Sequence, residues 1–338
     1  MDPDSSPPGL VTPGDGPTLP PSLDELRRDA ARRLAALPHA EPWLEAELLL
    51  TEATGCRRET LLAWPERIPA PEQARRFADL LARRLAGTPI AHLRGRQAFW
   101  KQELRVTPDT LIPRPETELL VELALESLPA TAPLLVADAG TGSGAIALAL
   151  ALERPAWTLL ALELSPGAAA VAADNLRRQG ATNARVIRAD WLAPLAPASL
   201  DALIANPPYI PNADPHLSRG DLPQEPLGAL AAGPEGLDAF RQLIPQAQIC
   251  LKPGALLALE HGYDQAPAVR TLLAAAGFTA ITTRTDLAGH PRATWACEPL
   301  EIAHQCSVLP GRVASVGGRR KYIPVGLTTA SLRSTPPP

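Results

Sequence analysis

Apolar and polar positions change period along this chain, and each change marks a different kind of element. Leu23, Leu26, Ala30, Leu34 and Leu37 recur at the three-to-four spacing of one helical face. Ser22 followed by Glu25 has the spacing of a capping box, which places the helix start just after Ser22. The stretches Glu41–Gly55 and Glu72–Ala86 repeat the helical period, so residues 22–95 read as a small helical bundle. Residues 96–115 break the period: Gln97–Val106 resembles two short strands, and Thr107–Pro115 a proline-fixed turn, together a β-hairpin linker. Pro115 with Glu116 and Glu118 suits the start of another helix, since proline fits its first position and carboxylates its positive end. From Leu134 onward short apolar runs alternate with helical stretches. Leu134–Asp138, Leu159–Leu162, Arg185–Ala189, Leu200–Ala205, Ala255–Glu260 and Ala280–Thr285 read as strands. This alternation predicts an α/β domain over residues 116–297, a mainly parallel, doubly wound sheet with helices on both faces.

The two ends lack any such period. Residues 1–21 hold seven prolines and read as a disordered lead-in. Residues 298–338 gain Gly, Pro and Ser, finish in three prolines, and read as a disordered or atypical tail. Composition changes the picture only by exclusion. Of 338 residues, 46% are apolar, enough for sizeable cores. The 32 Lys+Arg against 36 Asp+Glu give a charge of −4, which argues against a whole-protein electrostatic grip on nucleic acid. Four scattered cysteines with no C-x-x-C pair argue against a zinc ribbon, a metal site or a disulfide-stapled domain, and fit a reducing cytosol. No apolar run nears the roughly 18 residues that span a bilayer, and the start resembles no signal peptide. The expectation is a cytoplasmic protein. The arginine pairs Arg27-Arg28, Arg32-Arg33, Arg75-Arg76 and Arg83-Arg84 are assigned to outer helix faces, either simply solvated or docking an acidic macromolecule.

Chemistry enters at two loops. In Asp138-Ala-Gly140-Thr141-Gly142-Ser143-Gly144 a predicted strand runs into three alternating glycines and then a helix. Glycine permits the tight turn and lets a ligand approach without a Cβ in the way. Glu163 ends the next strand, where a carboxylate can accept hydrogen bonds from both hydroxyls of a ribose. The G-x-G-x-G spacing is neither the G-x-G-x-x-G of a dinucleotide site nor a P-loop, and suits a nucleoside carrying an amino-acid chain, such as S-adenosylmethionine. Asp190 and Trp191 close the following strand, offering a hydrogen bond and a flat face to adenine, unless Trp191 serves only as packing.

The second loop, Asn206-Pro207-Pro208-Tyr209, follows the fourth predicted strand, whose carboxyl end faces the ligand crevice in an open α/β sheet. Two prolines stiffen it and remove two amide donors. The Asn206 amide oxygen and the Pro207 carbonyl can each accept one hydrogen of a planar –NH2 group, with Tyr209 beside it. Such a nitrogen is a poor nucleophile, so acceptors and orientation toward an electrophilic methyl supply the acceleration.

With these loops the chain resembles class I methyltransferases that modify planar amino groups. Gly87-Thr-Pro-Ile-Ala-His-Leu-Arg94, Leu111-Ile-Pro-Arg-Pro-Glu-Thr-Glu118 and Leu259-Glu-His-Gly262 narrow the resemblance to the PrmC/HemK peptide chain release factor glutamine methyltransferases, over residues 22–297. The resemblance implies a class I S-adenosylmethionine-dependent fold with a seven-stranded sheet, preceded by a helical substrate-recognition domain. It implies methyl transfer to the glutamine of the Gly-Gly-Gln motif of class I release factors. A monomer with no direct nucleic acid or membrane partner is the separate expectation. Cofactor positions carry over onto Gly140, Thr141, Gly142, Ser143, Gly144, Glu163, Trp191 and Asn206. The catalytic positions are Asn206, Pro207 and Tyr209, with Pro208 and Arg114 added for substrate, Arg114 either bordering the mouth or only tying linker to domain. Glu163 stands where the family commonly has Asp, and the usual basic-aromatic ending of the last strand is absent. The competing readings are an adenine-N6 DNA or RNA base methyltransferase, because a flipped base also presents a planar amine, and a non-catalytic cofactor-binding adaptor.

Overall fold

The computed structural model describes residues 20–299, so most of the proline-rich lead-in and the tail from residue 300 lie outside the described residues. Five helices come first: α1 (Leu23–Leu34), α2 (Pro42–Thr54), α3 (Arg58–Ala63), α4 (Pro71–Leu85) and α5 (Ile90–Arg94). The Ser22–Glu25 box forms in both directions, Glu25 N donating to Ser22 Oγ at 3.3 Å and Ser22 N to the Glu25 carboxylate at 2.8 Å. Leu23, Ala30 and Leu34 from α1 pack with Leu49, Leu50, Phe77 and Leu80 into a core of their own. Helices α3 and α5 are too short to display a period, and the hydrophobic pattern does not reveal them.

Two arginines depart from their expected places: Arg27 is partly buried and reaches Glu47 of α2 at 3.2 Å, and Arg84 departs further. Arg84, assigned to an outer face, is buried. Its guanidinium forks onto Glu45 of α2 at 2.8 and 3.0 Å and reaches Asp221, far along the chain, at 2.6 Å. A buried guanidinium requires carboxylate partners, and the long-range one is invisible in a helical pattern. Arg28, Arg32 and Arg33 do sit on exposed faces, paired with acids of their own helix.

Strands β1 (Arg96–Phe99) and β2 (Gln102–Arg105) form the antiparallel hairpin. A 3-10 turn, Pro115–Thr117, leads into α6 (Glu118–Ser127). The remaining elements alternate: β3 (Leu135–Ala139), α7 (Ala145–Glu153), β4 (Thr158–Glu163), α8 (Pro166–Arg178), β5 (Ala184–Arg188), β6 (Leu200–Ala205), α9 (Asp238–Cys250), β7 (Leu251–Glu260), α10 (Ala266–Ala275), β8 (Thr279–Thr285) and β9 (Pro291–Cys297). They build a seven-stranded sheet in the order β5-β4-β3-β6-β7-β9-β8. All neighbours are parallel except β9, which runs antiparallel to both β7 and β8.

Side chains alternate between two apolar clusters, one on each face. Ala202 and Ile204 of β6 enter one, Leu203 and Ala205 the other. Burial on both faces explains why these strands read as continuous apolar runs. Most strand boundaries shift by one residue, and two differences are larger. Strand β7 begins at Leu251, because Leu251 already pairs with Leu200 across a bulge that absorbs Pro253 and Gly254. Strand β9 fills the sheet between β7 and β8, and Glu298, expected in the tail, continues its pairing with the Ala255 carbonyl at 2.9 Å. Among the described residues no helix is long and apolar enough to cross a membrane.

Candidate functional site

The chain leaves β3 for β4 on one side and later enters β6 on the other, so a topological switch point lies between β3 and β6. In open α/β sheets the crevice outside the strands' carboxyl ends opens there. Both loops singled out in the sequence emerge at this point, the glycine loop from β3 and the diproline corner from β6.

The glycine loop takes its shape from the main chain. Gly140, Gly142 and Gly144 have φ of 71°, 57° and 85°, a left-handed region that side chains with a Cβ occupy at a cost. A Cβ on Gly144 would stand 3.3 Å from Ala172 of α8, so this glycine also permits close helix packing. The amides of Gly140 and Thr141 both donate to the Leu162 carbonyl at 2.9 Å. Beneath the loop Asp138 accepts from the Thr141 hydroxyl at 2.5 Å and from the Ala147 amide at 3.0 Å. Burial pushes its carboxyl up to about 7. Sequence motifs alone do not single out Asp138 as a functional residue. Its signal is a lone carboxylate in an apolar strand two residues before the first glycine.

Glu163, ending β4, accepts from the Gly142 amide at 2.8 Å through one oxygen and from the Ser165 amide at 2.9 Å through the other. Each oxygen keeps a further lone pair for a ligand. Trp191 has φ of 48°, and its ring lies 3.4 Å from where a Cβ on Gly140 would be. Its indole donates to Gln242 Oε1 at 3.2 Å. These groups line a cavity of about 830 Å³ together with Asp190, Asn206 and Pro208. That volume lies within the usual range for small-molecule sites of roughly 300–1,000 Å³. Thr141 and Ser143 are buried within the loop.

At the corner, Asn206 Nδ2 donates to the hydroxyl of buried Thr117 at 3.0 Å. That bond engages one hydrogen of the carboxamide –NH2, and Asn206 borders the cavity. Pro207 is buried, while Pro208 borders the cavity. Tyr209 is half-buried against the apolar cluster that holds α9, and its hydroxyl donates to Glu260 Oε1 at 3.1 Å. Burial and the nearby Glu260 charge push the Tyr209 phenol up, so it stays protonated. Its carbonyl accepts from Gln265 Nε2 at 2.9 Å and abuts Gly236, whose absent Cβ would sit 2.2 Å away.

Arg114 does not line the cavity. It pairs with the fully buried carboxylate of Glu225, which also accepts from the Ile112 amide at 2.8 Å. With Arg84 on Asp221, this clamps the segment between β6 and α9 at two points, just before Pro226–Gly233 forms the far wall of the cavity.

A nucleoside with an amino-acid chain fits this donor set. The glycine loop offers an open main-chain cradle, Glu163 offers acceptors, Trp191 an aromatic edge, and no side chain fills the space. Among the described residues no cluster of His, Cys, Asp and Glu is arranged to hold a metal ion.

Comparison with known proteins adds names to this geometry. Residues 25–95 match the PrmC N-terminal domain, and residues 117–218 the methyltransferase small domain. The release factor glutamine methyltransferase of Pseudomonas aeruginosa is 50% identical over 257 residues, covering 75% of this chain and 93% of that protein. Its counterpart from Burkholderia pseudomallei is 47% identical over 258 residues, covering 74% and 90%. That of Coxiella burnetii is 43% identical over 271 residues, covering 80% and 97%.

Proposed function

The chain belongs to the release factor glutamine methyltransferase family, S-adenosylmethionine-dependent enzymes, and on that premise we propose that it methylates the side-chain amide nitrogen (N5) of the glutamine in the Gly-Gly-Gln motif of class I peptide chain release factors, tuning translation termination. The observation that carries this reading is the Asn206–Thr117 hydrogen bond at the edge of the cavity, which anchors the carboxamide through its –NH2 and supports a role for its oxygen as acceptor. Two acceptors, Asn206 Oδ1 and the Pro207 carbonyl, match the two hydrogens of a primary carboxamide. They orient its nitrogen and stabilise the positive charge that builds there during attack. The product proton becomes acidic as the new bond forms, so no strong base has to act beforehand.

S-adenosylmethionine supplies, when bound, an electrophilic methyl group on a sulfonium. The residues assigned to hold it are Gly140–Gly144, Glu163, Asp190, Trp191 and Asn206. Glu163 receives the ribose hydroxyls, while Trp191 and Asp190 receive the adenine. Tyr209 stiffens the corner and flanks the flat carboxamide. Helices α1–α5 serve as the docking surface for the release factor, tied to the catalytic wall by Arg84 and Asp221. Arg114 supports that wall through Glu225 instead of touching substrate.

The test is mass spectrometry of a class I release factor after incubation with enzyme and S-adenosylmethionine. One added methyl on the Gly-Gly-Gln peptide is expected. Label appearing only in DNA or RNA overturns the reading in favour of a base methyltransferase.

A further inference from the structure

We infer that Asn175 is a positioning residue for the cofactor cavity: one buried carboxamide on α8 holds the glycine loop and the linker opposite it in register. The inference deepens the reading of Gly140–Gly144 as the cofactor's cradle and rests on it. Helix α8 buries Ala168, Val171, Ala172, Asn175 and Leu176, and Asn175 is the one polar side chain among them. It is 2% exposed, and a carboxamide so placed needs partners for its polar atoms.

Those partners lie on two different segments. Nδ2 donates to the Ser143 carbonyl of the glycine loop at 2.8 Å and to the Arg105 carbonyl at the end of β2 at 2.9 Å. Oδ1 accepts from the Arg105 amide at 2.8 Å. Both amide hydrogens and one oxygen lone pair are thereby spent. Arg105 is gripped through its amide and its carbonyl at once, which fixes where the end of the hairpin lies along α8.

Each grip bears on the cavity. The Ser143 carbonyl precedes α7, whose ladder begins with the Leu148 amide on the Gly144 carbonyl at 2.8 Å, so no turn of that helix holds it. The peptide joining Ser143 to Gly144 is instead held at both ends, its carbonyl by Asn175 and its amide by the Thr141 carbonyl at 2.8 Å. On the other side, the Gly142 amide is held by Glu163 at 2.8 Å. Gly142, which lines the cavity, is suspended between these two fixed peptides. From Arg105 the chain runs on to Asp109, Thr110 and Leu111, which line the same cavity. A second close approach keeps that run on α8: a Cβ on Gly167 would lie 2.8 Å from the Asp109 carboxyl carbon. The φ angles of the glycines shape the loop, but they do not set where it stands against the linker. Asn175 sets that, through bonds to both.

The experiment compares wild type with Asn175→Leu, Asn175→Ala and Leu176→Ala. It records S-adenosylmethionine affinity by titration calorimetry, kcat and KM on a release factor, and amide hydrogen exchange in the absence of cofactor. Leu176→Ala is the control, because Leu176 sits on the same helix in the apolar core and makes no hydrogen bond to the loop through its side chain. Both Asn175 variants are expected to weaken cofactor binding and raise the cofactor KM about 10-fold, the size of one ordinary hydrogen bond. At saturating cofactor kcat stays within about threefold of wild type, because the acceptors at Asn206 and Pro207 are untouched. Without cofactor, exchange quickens about 10-fold or more at Gly144 and Thr110, whose amides bond to Thr141 and Thr107 and not to Asn175, while the amides of β3 keep their wild-type rates. Leu176→Ala lowers the urea midpoint and leaves cofactor affinity within about twofold of wild type. Wild-type affinity in either Asn175 variant, faster exchange confined to Arg105, or an equal loss of affinity in Leu176→Ala each overturns the inference. An enzyme that binds the cofactor yet leaves the release factor unmethylated overturns the functional reading instead, and binding and exchange still decide the role of Asn175.

Discussion

The glycine loop after β3 and the diproline corner after β6 flank the same switch point, yet they are held in opposite ways. The loop is a main-chain device. Its amides bond to the Leu162 carbonyl and to Glu163, the latter 21 positions from the amide it accepts. The corner has given up two amides to proline and depends on side chains for its orientation. Asn206 is held by a threonine 89 positions away, and Tyr209 by a glutamate 51 positions away. A main-chain cradle recognises shape and suits the part of a reaction shared by many enzymes. A corner oriented by distant side chains can be tuned to one substrate group, and it can be detuned from a distance.

Removing the acceptor itself is the strongest way to separate the two regions. Asn206→Ala is expected to lower kcat about 10²- to 10³-fold, the scale seen when one preorganised transition-state hydrogen bond is lost. Cofactor affinity, set mainly by the glycine side, should fall only a few-fold. Methyl-transfer rates and titration calorimetry on the same preparation check the split. Equal losses in both would mean that the two regions act as one.

A glycine substitution on each side probes the same contrast in stability. Gly236 stands against the Tyr209 carbonyl with φ of 70°, and an added Cβ would lie 2.2 Å from that oxygen. Gly236→Ala should cost about 2–4 kcal/mol, left-handed strain plus overpacking, and should lower kcat by displacing the corner. Gly142 has φ of 57°, and an added Cβ there would meet nothing within 4 Å, so Gly142→Ala should cost about 1–2 kcal/mol, the strain alone. Urea unfolding of the two variants gives the comparison directly, and equal costs would remove it.

The sequence makes the two regions unequally readable for the same reason. The glycine loop declares itself within a few residues, because its geometry follows from φ angles that glycine alone adopts freely. The corner's own residues are equally plain, but its supports are not. Thr117 and Glu260 lie inside motifs that carry a family resemblance, and no local pattern says that they touch Asn206 and Tyr209. Arg84 shows the same blindness. Its helical position looks like an outward one, and only the fold brings Asp221 to it. Helices α3 and α5 are too short for their period to register. Strand β9 joins the sheet out of chain order, between β7 and β8, so chain-order alternation does not announce it.

Each region also rests on one buried carboxyl pushed up to about 7, Asp138 beneath the loop and Glu260 beneath the corner. A raised folded-state value means that the native protein holds these protons more tightly than the unfolded chain does. The resulting stability is complete below the unfolded-chain values near 4 and is lost as pH rises through about 7. Between pH 5 and 8 each group should contribute a decline of roughly 2 kcal/mol. Unfolding midpoints in urea at the two pH values measure it. Asp138→Asn and Glu260→Gln should each flatten part of the slope, and stability that rises from pH 5 to 8 would refute the assignment for both.

The smallest expected effect tests whether the glycine side can be weakened without disturbing the corner. Trp191 contributes a ring against Gly140 and an indole hydrogen bond to Gln242 at 3.2 Å. Trp191→Phe keeps a ring and loses one partly solvated hydrogen bond, worth about 1 kcal/mol or less, so cofactor affinity should fall no more than about fivefold. Trp191→Ala loses the stacking face as well and should weaken binding by about tenfold or more, on the scale of aromatic stacking on a base. At saturating cofactor both variants should retain the wild-type kcat, because the hydrogen bond that anchors Asn206 runs to Thr117 and not to Trp191. A drop in kcat that outlasts saturation would show that the aromatic wall also steers the corner, and the division between a shape-reading loop and a tuned corner would have to be redrawn.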